Sequence, residues 1–230
     1  MKKAIISIAV LALLCAAVAY RLSDNKEDST GETTITEVEQ QAETIANAAN
    51  AKSLVVYFSV PETDGVDASS GASRVSTGNK IMGNTQYVAT IIKEATASDI
   101  FEIRTIESYP GTHQALIDAA KAEIDSNARP KLATHISNFD DYDVVFVGFP
   151  NWWYDMPMPL YSFFDEYDFK GKTIVPFCTH GGSRFSDAIS SIRQLEKEAT
   201  VLDGYAIARD NVPDSKDGIL KWLDRIGMKK

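Results

Sequence analysis

Val144-Val145-Phe146-Val147-Gly148-Phe149-Pro150-Asn151-Trp152-Trp153 decides the fold. Its first five residues are apolar and largely β-branched, the composition of a strand buried on both faces, as in parallel sheets covered by helices. The chain on either side alternates short apolar runs with helical periods. Leu54-Val55-Val56-Tyr57-Phe58, Ile100-Phe101-Glu102-Ile103 and Thr173 to Cys178 read as further strands, and a fifth falls within Val201 to Ala208. Between them, Val88, Ile91, Ile92 and Ala95 recur at i, i+3, i+4 and i+7, one stripe facing a sheet. Helices are also expected over Thr112 to Asn127, after Met156-Pro157-Met158-Pro159, through Ile189, Ile192 and Leu195, and through Ile219 and Leu223, with Gly227 placed to end the last. Five strands alternating with helices imply right-handed crossovers and an α/β fold, a three-layer doubly wound sandwich with a five-stranded parallel sheet.

The first 52 residues are of another kind. Lys2 and Lys3 precede an apolar run from Ala4 to Ala19 broken only by Ser7, the layout of a secretory signal, and Ala17-Val18-Ala19 suits cleavage after Ala19. An uncleaved anchor and lipidation at Cys15 are the alternatives. Residues 20–52 are polar and read as a flexible tether, leaving 53–230 as the folded domain. The protein is expected to be exported, secreted or tethered, with any membrane attachment confined to the N-terminal segment. The formal charge is −9, and loss of the two lysines with the signal makes it −11, which argues against a nucleic-acid partner. With Cys15 in the export segment, Cys178 has no partner for a disulfide. Its apolar setting suggests a buried, inert thiol rather than a nucleophile, and no spacing resembles a metal site.

Three loops carry candidate ligand chemistry, and in the strand order 2-1-3-4-5 they meet at one crevice beyond the carboxyl ends of the strands. The first leaves Ser59 and reaches Asn84-Thr85-Gln86 at a helix start, where unpaired N–H groups suit a phosphate. Plain capping by Asn84 or Thr85 is the simpler reading of that piece. Asp64 to Lys80 within this loop is too long for a strand-to-helix turn and reads as functional or flexible; its Arg74 and Lys80 read as solvated surface. The second loop is Pro150-Asn151-Trp152-Trp153-Tyr154. Three successive aromatics cannot all enter one core, so at least one is left to face a crevice or solvent and offer a planar surface. The third is Thr179-His180-Gly181-Gly182-Ser183, whose paired glycines permit close backbone approach. His180 suits either a structural or a ligand-binding role.

These pieces, in this order and spacing, resemble the flavodoxin-like family, in the branch of exported bacterial flavodoxins. The resemblance runs from about Ser53 to Met228. It implies the sheet order 2-1-3-4-5 and non-covalent FMN. Ser59, Asn84, Thr85 and Gln86 would hold the phosphate, and Pro150, Asn151, Trp152, Trp153, Tyr154, Thr179, His180, Gly181 and Gly182 would flank the ring. The long segment between Ser59 and Gly83 departs from the short hydroxyl-rich loop of compact flavodoxins. The implied activity is electron transfer or an FMN-dependent oxidoreduction, for example of the NAD(P)H/quinone type, with a redox protein or small-molecule acceptor as partner. With no basic residue in the two ring-flanking loops, a low-potential flavin is expected. The alternative is a flavin-free surface binding module on the same fold.

Overall fold

The computed structural model describes residues 51–63, 73–77 and 80–230. The expected export segment and nearly all of the expected tether lie outside the described residues. Among the described residues, no helix is long and apolar enough to cross a membrane.

The central sheet is built from β1 (Ser53–Tyr57), β4 (Asp99–Glu102), β5 (Val144–Pro150), β6 (Thr173–His180), β7 (Thr200–Val201) and β8 (Tyr205–Ala208). All pairings are parallel, in the order β4-β1-β5-β6, with β7 and β8 sharing the last position beside β6. That is the expected order 2-1-3-4-5. Helices α1 (Asn84–Thr96) and α5 (Lys216–Arg225) lie together on one side. On the other side are α2 (His113–Asp125), α3 (Met158–Glu166) and α4 (Ala188–Leu195).

Strand alternation divides the core in two. Val55, Tyr57, Phe146, Val175 and Phe177 pack against Val88 and Ile92 of α1 and Trp222 and Leu223 of α5. Their neighbours Leu54, Val56, Val145, Val147 and Ile174 pack against Leu160 and Phe163 of α3 and Ile192 of α4. Each large side chain buried here contributes about 1.5–3 kcal/mol relative to exposure. Met156 belongs to this second half of the core, and Met158 is buried too.

Two details depart from the sequence reading. Within the stretch read as a loop, Arg74–Thr77 (β2) and Lys80–Gly83 (β3) form an antiparallel hairpin. Its cause is visible in Val75, which opposes Met82 and is buried against the α1 side of the core. Residues 64–72, between β1 and this hairpin, lie outside the described residues. The fifth strand is also interrupted. Val175-Pro176 of β6 stands opposite three residues, Leu202-Asp203-Gly204, because Ile174 pairs with Val201 and Phe177 with Tyr205. Pro176 has no N–H, and since the Ile174 carbonyl accepts from Leu202, alternation turns Pro176 toward the same neighbour. The ladder fails there and a one-residue bulge fills the gap.

Candidate functional site

A crevice of about 670 Å³ opens at the carboxyl ends of β1, β5 and β6. Its floor is the start of α1. Gly83, just before that helix, lies so close to Ser59 that a Cβ on it would stand 2.1 Å from the Ser59 Oγ, which would have to rotate away. Thr85 and Thr179, both buried, share a hydroxyl hydrogen bond of 2.9 Å that ties α1 to the end of β6. Gln86 turns away from the crevice. Its Oε1 accepts from the Gly83 N–H at 3.3 Å and its Nε2 donates to the Tyr57 hydroxyl at 3.3 Å, so its side chain serves as a helix cap.

The aromatic loop is held in an unusual shape. Trp152 and Asp155 exchange backbone hydrogen bonds of 2.9 and 3.1 Å, which forces Trp153 and Tyr154 to φ values of 50° and 69°. Bulky residues rarely occupy this left-handed region, and strain kept there points to use rather than accident. Asp155 maintains the turn by accepting from the Met156 N–H, the Tyr161 hydroxyl and the Ser191 hydroxyl. Burial pushes Tyr161 up to about 12, so its hydroxyl stays a donor. The three aromatics then part company. Trp152 packs edge-on against Phe58 and Tyr109, whereas Trp153 and Tyr154 are 46% and 65% exposed. Trp153 Nε1 donates to the Ile117 carbonyl of α2 at 3.2 Å.

At the end of β6, His180 is buried and its Nδ1 accepts from the Gly182 N–H at 2.9 Å. Burial first, and Arg184 second, hold its imidazole below the usual range, hence neutral. Gly182 sits at φ 136°, open to a glycine alone. Asn151 spans the two loops by donating from Nδ2 to the Arg184 carbonyl at 2.8 Å. Cys178 is sealed beneath them, its thiol driven well up by burial, which leaves no thiolate for nucleophilic chemistry. Among the described residues no cluster suits a metal ion.

Every residue singled out from sequence except Gln86 lines this crevice. The polar residues Glu62, Ser73, His113 and Arg209 also line it, with Val60, Leu116, Ile117 and Ala120, and none of these stood out in the sequence as a site residue. Glu62 is buried, accepts or shares a proton with His113 Nδ1 at 2.9 Å, and has a second carboxylate oxygen, Oε2, that meets no donor among the described residues. Ser73 accepts the Glu62 N–H at 2.7 Å, and Arg74 donates to the Glu62 carbonyl at 2.9 Å. Arg74, read from sequence as solvated surface, is therefore part of the clasp that fixes Glu62. The available signal for Glu62 was its position three residues after Ser59; for Arg209 it was its place directly after the last strand.

Fold and crevice together define a doubly wound α/β protein with a ligand site at the switch point of its sheet. The family model for flavodoxin matches residues 75–226, and the chain belongs to the flavodoxin family. A candidate flavoprotein of Bacteroides eggerthii is 26% identical, with TM-score 0.61 over 78% of this chain and 100% of its own. One from Bacteroides uniformis is 24% identical, with TM-score 0.59 over 76% and 98%. A flavoprotein of Lactobacillus acidophilus, solved in complex with FMN, is 19% identical, with TM-score 0.52 over 73% and 99%. The last two share the fold. No curated protein matches the sequence significantly.

Proposed function

We propose that the chain is an FMN-binding redox protein that acts outside the cytoplasm, as an electron carrier or an FMN-dependent oxidoreductase. The observation that carries the reading is the convergence of a helix N-terminus, a strained aromatic turn and a side-chain-free Gly181-Gly182 turn on one crevice. The residues present suit the cofactor. The first N–H groups of α1 would hold the phosphate, and the buried Glu62 Oε2 offers an acceptor to a hydroxyl-bearing chain. Trp153, Tyr154 and the Gly181-Gly182 turn would flank the ring, while neutral His180 keeps that turn in shape. FMN would supply the electron transfer, and the chain would supply orientation, burial and charge. A crevice of this volume falls in the usual range for small-molecule sites, about 300–1,000 Å³.

Titration of the purified protein with FMN tests this: quenching of flavin fluorescence at one equivalent is expected. A colourless protein indifferent to FMN would overturn the reading in favour of a flavin-free surface module. Steady-state turnover of NAD(P)H with a quinone separates an oxidoreductase from a carrier. Export rests on Lys2-Lys3 and the apolar run that follows. Mass spectrometry of the secreted or membrane fraction is expected to find a chain beginning at Tyr20; an intact Met1 in the cytosol would refute it.

A further inference from the structure

We propose that Glu62 is the residue by which the crevice reads the hydroxylated chain between the ring and the phosphate of its flavin, so that it selects flavins carrying a polyol on the ring over those carrying a plain alkyl group. The inference rests on the FMN reading above and extends it from one unpaired acceptor to a rule of ligand choice.

The backbone of Glu62 is held on both sides. Its N–H donates to the Ser73 hydroxyl at 2.7 Å, its carbonyl accepts from the Arg74 guanidinium at 2.9 Å, and the next N–H, of Thr63, donates to the Gly111 carbonyl at 2.7 Å. Two links set where the side chain lies. The Ser73 carbonyl also accepts the N–H of Asn84 at 2.7 Å, which puts Glu62 beside the first residue of α1. Its Oε1 meets Nδ1 of His113, the first residue of α2, at 2.9 Å, and one turn further along that helix the Ile117 carbonyl accepts from Trp153 Nε1 at 3.2 Å. The carboxyl therefore lies between the helix start that would hold the phosphate and the tryptophan that would flank the ring. That is the span the connecting chain has to cross.

The chemistry of the group favours a hydroxyl. Glu62 lines the crevice and is nonetheless only 7% exposed, with Oε2 closed to solvent and without a donor among the described residues. A buried acceptor left in that state is costly, and native structures keep few of them. One whose backbone is clamped on both sides has little freedom to turn out to water, so the missing donor has to come from a ligand. An ionised carboxylate only accepts, and an O–H donor makes a short, charge-assisted bond to it. Should the carboxyl hold the proton it shares with His113, a hydroxyl accepts as readily as it donates. An ionised phosphate fits poorly, because its charge opposes that of the carboxylate. Among the described residues lining the crevice, Glu62 is the only acid, so the selection falls to one side chain.

The test is titration of the flavin-free full chain with FMN, with riboflavin, and with lumiflavin, which bears a methyl group in place of the polyol. Wild type is compared with Glu62→Ala and Glu62→Gln in preparations of matched thermal unfolding. Wild type is expected to bind FMN and riboflavin more tightly than lumiflavin. Glu62→Ala should weaken FMN and riboflavin about tenfold or more and leave lumiflavin within about twofold. Glu62→Gln should recover part of the loss, since an amide oxygen still accepts but without the charge. Equal weakening of all three flavins, the result of a merely structural role, would overturn the inference, as would no weakening at all. A wild type that binds lumiflavin as tightly as riboflavin overturns this inference and spares the flavin reading; a wild type that binds none of the three overturns both.

Discussion

The two walls of the crevice are built by different means. One consists of strand ends. Thr179 and His180 belong to β6 itself, and Pro150 still pairs with Thr179, so these residues inherit their positions from a continuous ladder. The other wall, which includes Val60, Glu62 and Ser73, stands outside the main sheet and, among the described residues, is fixed by a few individual bonds: Glu62 to Ser73, Arg74 to Glu62, Glu62 to His113, and Thr63 to the Gly111 carbonyl. Damage to the first wall should cost the whole fold. Damage to the second should cost local order, with the sheet intact.

Four substitutions sharpen or break this contrast. The largest effect is expected of Gly204→Ala, whose Cβ would stand 2.1 Å from the Pro176 carbonyl oxygen. Backbone cannot yield as a side chain does, so a loss of about 3 kcal/mol or more is expected by chemical denaturation. Thr85→Val should come next. It removes the hydroxyl that pairs with buried Thr179, leaving a polar atom unsatisfied at about 1–3 kcal/mol, read as a shift in denaturation midpoint. Ser73→Ala on the second wall should cost about 1 kcal/mol and speed proteolysis between β1 and the hairpin while the denaturation slope stays unchanged. If Ser73→Ala instead unfolds the protein cooperatively, the two walls are one unit.

The smallest effect, outside both walls, is a pH-dependent one. Glu196 beyond the end of α4 is raised to about 7, first by burial and then by Asp168 and Asp165. A carboxyl raised in the folded state binds its proton more tightly there than in the unfolded chain. Its contribution is therefore greatest below about pH 4.5 and is lost as pH rises through about 7. Glu196→Gln should gain up to about 1 kcal/mol at pH 8, after allowance for solvent screening, nothing at pH 4, and leave ligand affinity alone. Thermal melts at the two pH values check it.

The contrast between the walls is also the contrast between what could and could not be read in advance. Strand cores such as Val144 to Val147 declare themselves because burial on both faces demands an unbroken apolar run. Crevice residues at their ends followed from topology, and Thr179, Gly181 and Trp153 were legible for that reason. The hairpin was not. Val75 and Met82 are too few to show a period, and the glycine- and serine-rich sequence before them reads as loop. Glu62 carried no sequence signal of burial, because burial of a charge depends on partners far away in the chain, here Ser73 and His113. Gln86 erred the other way: its residue type fits an anion site, but the cap at Gly83 claimed it.

The bulge opposite Pro176 has a consequence for handedness of address. Side chains alternate with a period of two, so one extra residue exchanges the faces of everything that follows. Val201, before the bulge, packs toward α3 and α4, and so does Ala206 after it, five positions on, where an unbroken strand would keep only even spacings together. By the same parity, Ile207, six positions after Val201, is buried on the α1 side only because the count was shifted. A proline in β6, by withholding one N–H, thus decides which face of the sheet receives Ile207, and removing a single residue from 202–204 would send that side chain to the opposite layer.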